Sequence, residues 1–141
     1  MTRSTLRAAL LFSSTVVALA CTGLMAGPVQ PDSTTALTGV APDSAYKRAK
    51  TQLGTEVFSI TEENVGQRWI KATRYPSPTA KANTAAACHL LLTVHVEDAD
   101  VRITGQWTAS QQLTTDAGKA ACDQELAETQ ARVEHFAANV P

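Results

Sequence analysis

The sequence predicts an α+β domain: a helix, a four-stranded antiparallel sheet and a second helix, with both helices on one face of the sheet. Three observations carry this expectation. Residues 88–97 alternate, placing Cys88, Leu90, Leu92, Val94 and Val96 on one side, as in a half-buried strand. Cys122, Leu126, Thr129, Val133 and Phe136 recur at spacings of 4, 3, 4 and 3, the stripe of an amphipathic helix. Two polar turn signals, residues 62–66 and 98–100, each separate two runs rich in β-formers and read as hairpins.

The elements follow in order. Asp43 or Ser44 can cap a first helix that runs to about Leu53, with Gly54 as its stop and Tyr46, Ala49 and Leu53 on one face. Residues 56–61 alternate as a first strand, and residues 67–75 form a second, ended by Pro76 and Pro78. The Ala-rich stretch 79–87 reads as a loop or a short helical turn. Residues 88–97 are the clearest strand, and residues 101–108 return as a fourth, with Val101, Ile103 and Trp107 on one side. After a loop at 109–115, Asp116 can cap a helix reaching about Ala138. Asp123, Glu125, Glu128, Arg132 and Glu134 are expected mostly to face away from its apolar stripe.

The N-terminus carries an export signal. Arg3 and Arg7 precede an uncharged, mostly apolar run at 8–20, and Ala18-Leu19-Ala20 puts small residues at a cleavage site. Val17-Ala18-Leu19-Ala20-Cys21 resembles the lipobox of bacterial lipoproteins, although that family prefers Leu where Ala18 stands. The resemblance implies cleavage before Cys21, lipid on its thiol and anchoring to a membrane. Thr22, where an Asp marks inner-membrane retention in Gram-negative lipoproteins, implies the periplasmic face of the outer membrane. Two other readings of the same residues stand beside it: soluble secretion after a cut at Ala20 or Ala26, and a retained anchor over the uncharged stretch 8–27. The domain plan is therefore a signal peptide at 1–20, a lipidated Cys21 with a flexible Pro/Gly/Ser/Thr-rich tether over 21–42, and a globular domain at 43–141. The element order and the anchor also resemble, loosely, the helix-grip-like domains of accessory lipoproteins in outer-membrane barrel assembly.

Composition bounds the chemistry. Removing Arg3 and Arg7 with the signal leaves 10 basic against 13 acidic side chains, a net charge of −3 with no basic patch, which argues against nucleic acid as a partner. Only 5% of residues are aromatic, so the core is built from small and aliphatic side chains and has limited stability. Of three cysteines, Cys21 is assigned to lipid, and Cys88 and Cys122 are expected to form a disulfide in an oxidising compartment. Both fall on inward-facing positions of their elements. The alternative is a pair of unpaired buried thiols.

Candidate sites follow from strand parity. With Leu90, Leu92 and Val94 inward, His89, Leu91, Thr93 and His95 point outward; with Ile70 and Ala72 inward, Trp69, Lys71, Thr73 and Tyr75 share that outer face. Trp69, Lys71, Tyr75, His89 and His95 form the expected binding surface, since aromatic side chains favour contact hot spots. The alternative for Trp69 is a core position under the Ala-rich loop. His89 and His95 are six residues apart on one strand, about 20 Å, too far to share a metal. No zinc-type spacing, nucleophile elbow or phosphate-binding loop is present, and no metal or cofactor is expected. The acidic turn at 97–100 reads as a solvated hairpin tip. The expected function is therefore non-enzymatic: an envelope lipoprotein that binds another macromolecule as an accessory, inhibitor or immunity-type protein. A carrier of a small apolar ligand, held between Tyr46, Leu53 and the last helix, is the alternative, and a small envelope hydrolase a third.

Overall fold

The computed structural model describes residues 30–108 and 113–139. The elements are β1 (Gln30–Ala36), α1 (Pro42–Thr55), β2 (Ser59–Asn64), β3 (Trp69–Arg74), a 3-10 turn at Ala85–Ala87, β4 (His89–Val96), β5 (Asp100–Thr108) and α2 (Asp116–Ala138). The strands form one antiparallel sheet in the order β1-β5-β4-β3-β2. Both helices pack on the same face, against each other and against the central strands. The signal at 1–20 and Cys21 lie outside the described residues.

The α+β class holds, but the sheet has five strands, not four. The extra strand is β1, within the stretch 21–42 expected to be a tether. Its sequence QPDSTTA has no apolar alternation to reveal it. It joins through the backbone, pairing Ser33 with Ile103 and Ala36 with Asp100 along β5. Pro31, which lacks an N–H, is tolerated because β1 is an edge strand whose register breaks between Gln30 and Ser33.

The core forms where the inner face of the sheet meets the two helices. Leu90, Leu92, Val94 and Val96 of β4, Val101, Ile103 and Trp107 of β5, and Ile70 and Ala72 of β3 are buried against Tyr46, Ala49 and Leu53 of α1 and Leu126 and Val133 of α2. The Trp107 indole N–H donates to Asp123 Oδ1 at 2.6 Å, so its polar edge is satisfied inside this layer. Tyr46 is buried but sends its hydroxyl out to donate to Glu63 Oε2 at 3.0 Å. Desolvation and the Glu63 carboxylate raise the Tyr46 pKa.

Two positions on α2 differ from expectation. Phe136 is 39% exposed, and the apolar stripe continues from Val133 to the buried Ala137 instead. The Arg48 guanidinium lies 4.8 Å above the Phe136 ring and donates to the Phe136 and Asn139 carbonyls, which ties α1 to the C-terminal end of α2. Glu134 is buried, because β1 covers that flank of the helix; it accepts from Thr35 Oγ1 at 3.2 Å.

The helix caps also differ from expectation: α1 is preceded by Ala41 in place of Asp43 or Ser44, and α2 is capped one residue earlier than Asp116. Pro42 at the first helical position opens α1 without a side-chain cap, and Asp43 sits in its first turn. For α2 the cap is Thr115, whose Oγ1 accepts from the Gly118 N–H at 3.1 Å, with Asp116 in the first turn near the positive end of the helix dipole. Asn83 braces this start, accepting from the N–H groups of Thr114 and Thr115 at 2.8 and 3.0 Å. A Cβ on Gly118 would lie 2.4 Å from Asn83 Oδ1 and 2.9 Å from its Cα. Gly118→Ala is therefore expected to displace Asn83 and destabilise the domain by about 1–3 kcal/mol, despite the better helix propensity of alanine, as read by urea denaturation.

Cys88 and Cys122 form a disulfide, with their Cα atoms 5.6 Å apart. It joins the residue before β4 to the first turns of α2, beneath the Ala85–Ala87 turn.

Candidate functional site on the open face of the sheet

Helices cover one face of the sheet, and the side chains of alternate parity stand on the other. Trp69 pairs with His95, Lys71 with Thr93, Thr73 with Leu91, and Leu91 with Gln106 on β5. This register divides the expected binding residues into two corners. Trp69, Lys71 and His95 occupy one end of the face, and Tyr75 and His89 the other. Between them lies a depression of about 490 Å³, lined by Lys71, Thr73, Tyr75, His89, Leu91 and Gln106 among others.

At the first corner Trp69 is half-buried, and it lies on the open face, not under the Ala-rich loop. Lys71 Nζ stands 5.0 Å from its ring centroid and 3.4 Å from Glu62 Oε2. His95 Nδ1 is 3.7 Å from Glu97 Oε1, which Arg102 also approaches at 3.3 Å.

At the second corner His89 is held on three sides. Its ring stacks on Tyr75 with centroids 4.7 Å apart. Nε2 lies 2.8 Å from Thr73 Oγ1, and Nδ1 lies 2.8 Å from Thr108 Oγ1. The Thr73 hydroxyl donates to the Leu90 carbonyl at 3.3 Å and so has its oxygen available to an Nε2–H; in that tautomer of the neutral ring Nδ1 accepts from the Thr108 hydroxyl. Both ring nitrogens are engaged by threonine hydroxyls, which leaves neither free to act as a base. Burial lowers the His89 pKa below its ordinary 6.5. Below pH 6.5 the unfolded chain therefore binds this proton more readily than the folded one. Stability is expected to fall as pH drops from 6.5 through the folded pKa, and His89→Gln to flatten that part of a chemical-denaturation pH profile.

A second concavity, of about 610 Å³, was not legible from the sequence. It lies beside Tyr75, between Val57, Pro76, Pro78 and Ala86, with Arg74 and Glu125 along its floor. Arg74 Nη2 donates to Glu125 Oε1 at 2.7 Å, and Arg132 makes a bidentate pair with Glu56 at 2.7 and 2.9 Å. The Arg132 hydrogen bonds hold the Glu56 pKa below the usual carboxylate value. Glu56 is therefore ionised and committed, not poised as a general acid. The only sequence signal was Arg74 itself, a charge at an inward parity of β3.

At the opposite tip of the sheet, Arg68 ties the turn between β4 and β5 to α1, reaching Asp98 at 2.7 Å and Asp43 at 3.3 Å. Asp98 is exposed, so this tip is solvated. Among the described residues, no group of three His, Cys, Asp or Glu side chains converges as a metal-ligand set, and no helix is long and apolar enough to cross a membrane. No known protein-family model matches the chain, and no curated protein matches it significantly.

Proposed function

We propose that this protein is a non-enzymatic lipoprotein of the bacterial envelope, held by lipid on Cys21, that binds another envelope macromolecule through the open face of its sheet. One observation carries this reading: helices and a disulfide back one face, while the other presents a shallow depression framed by the Trp69–Lys71–His95 and Tyr75–His89 corners. A rigid sheet backed by a sealed core is a suitable platform for a partner. Both nitrogens of His89 are committed to threonine hydroxyls, and Glu56 is committed to Arg132, which favours binding over hydrolysis. The space between Tyr46, Leu53 and α2 is continuous core, which favours a surface role over a carrier role.

The test places a photo-cross-linking residue at Leu91 or, as a control, at Gln124 on the exposed side of α2, in intact cells. A discrete adduct from Leu91, lost with Lys71→Glu and absent from Gln124, is expected. No adduct at Leu91, or equal adducts at both positions, overturns the reading. The intact mass of the mature protein tests the lipid independently.

A further inference from the structure

We propose that the end of the sheet bearing Val57, Tyr75 and Pro78 rests against a phospholipid surface, so that the domain stands on this end with its open face to the side. This rests on the lipid at Cys21 and adds an orientation to it.

The point at which the chain leaves the domain gives the first reason. Gln30 opens β1 opposite Gly105, towards the end of β5 where Thr108 pairs with His89. Tyr75 follows Arg74, which pairs with Leu90 at that same end. The link to Cys21 thus departs from the Tyr75 end, whereas Ala36 and Asp100 lie at the other. Nine residue steps separate Cys21 from Gln30, so that end is held within about 30 Å of a lipid anchor.

Length bounds the stand-off, and the chemistry of the two ends decides which one meets lipid. At the near end Val57 is 77% exposed and Tyr75 is 67% exposed. Pro76 and Pro78 follow, and the stretch 75–88 contains no carboxylate and one cation, Lys81. The nearby carboxylates Glu56 and Glu125 are turned inward onto Arg132 and Arg74, while Asp116 stays fully exposed beside Lys119. The far end gathers Asp43, Glu97, Asp98 and Asp100 around Arg68 and Arg102; of its large apolar side chains, Val65 is exposed among Gly66, Gln67 and Arg68, and Phe136, 39% exposed, lies under the Arg48 guanidinium. An anionic bilayer surface repels the far end and accepts the near one.

The position of Val57 is fixed by the end of α1. Its φ is 62°, a left-handed conformation that is strained for a β-branched residue. This conformation closes α1, with the Val57 N–H donating to the Gly54 carbonyl and the Phe58 N–H to the Leu53 carbonyl, and it leaves an apolar side chain that the domain does not bury. A bilayer interface does, and a tyrosine ring with a polar tip suits the same depth.

The test uses the full lipidated chain in vesicles of phosphatidylcholine and phosphatidylglycerol, some with brominated acyl chains. Tyr75→Trp and Val65→Trp are made separately in a Trp69→Phe background, so that the buried Trp107 is the common reference. Emission from Tyr75→Trp is expected to fall about twofold in brominated vesicles, as for a ring at the headgroup boundary, with emission from Val65→Trp unchanged. Quenching of Val65→Trp to the same or a greater extent, or of neither variant, overturns the orientation. Flotation separates the two ideas. A chain that does not float with vesicles overturns the lipid reading and the orientation together. One that floats unless Cys21 is replaced by Ser, yet leaves Tyr75→Trp unquenched, overturns the orientation alone.

Discussion

Replacing Cys88 and Cys122 together by alanine is expected to lower the unfolding free energy by roughly 3–5 kcal/mol and the melting temperature by roughly 15–25 °C. The bond spans 34 residues, for which loop-closure entropy in the unfolded chain amounts to about 3–4 kcal/mol. Both sulfurs are buried, so truncation also removes packing at the junction of β4 and α2. A single domain has only about 5–15 kcal/mol in total, so this loss removes a large share of it. The consequence reaches the binding face as well. Cys88 immediately precedes His89, and the disulfide fixes the start of the strand that also carries Leu91 and His95. Urea and thermal denaturation monitored by circular dichroism check the prediction. A change below about 1 kcal/mol would mean that core packing alone sets the stability, and that the bond is dispensable.

The parts of this fold that were legible share a physical cause. β4 and α2 bury one face along their whole length, and burial of a face writes a period into the sequence. Their bounds, the inward parity of Cys88 and Cys122 and the outward parity of Trp69, Lys71, Tyr75, His89 and His95 all follow from that period. β1 buries no face of its own and is held by backbone pairing to β5, so its Ser, Thr and Pro residues read as tether. Missing β1 led directly to the misplacement of Glu134, whose burial depends on that strand. β2 was displaced for a different reason. Glu56, Val57 and Phe58 fold back onto the end of α1, with Phe58 N–H donating to the Leu53 carbonyl, and the strand begins only at Ser59. A bulge between Ile60 and Glu62 then breaks the alternation. The site was legible as a face but not as two corners, because the cross-strand partners of Trp69 and His89 are set by register. The Glu56–Arg74–Glu125–Arg132 network joins residues up to 76 positions apart and leaves no local pattern.

Gly105→Val is expected to destabilise the domain by about 2–3 kcal/mol, with Gly105→Ala intermediate. Gly105 lies on β5 where α2 packs against the sheet. A Cβ there would stand 2.7 Å from Leu126 Cδ1, 2.9 Å from Leu92 Cδ2 and 3.1 Å from Gln130 Cδ. Leu126 and Leu92 are fully buried, and Gln130 is almost so, so none has free volume to retreat into. The helix must then lift from β5, straining the Gln130 Nε2–H bond to the Ile103 carbonyl. A double-mutant cycle separates this steric cause from loss of strand flexibility. Leu126→Ala alone should cost about 2–5 kcal/mol by leaving a cavity. In combination with Gly105→Val, the valine occupies part of that cavity, and the double variant should be more stable than the sum of the single effects by about 1 kcal/mol or more. Strict additivity in urea denaturation would show that Gly105 is required for its backbone and not for the approach of α2. The same variant bears on the partner surface, because Leu92 pairs with Gly105 and the next pair, Leu91 with Gln106, lies on the open face. A helix that pushes on the sheet from behind should therefore weaken cross-linking at Leu91 before the domain unfolds.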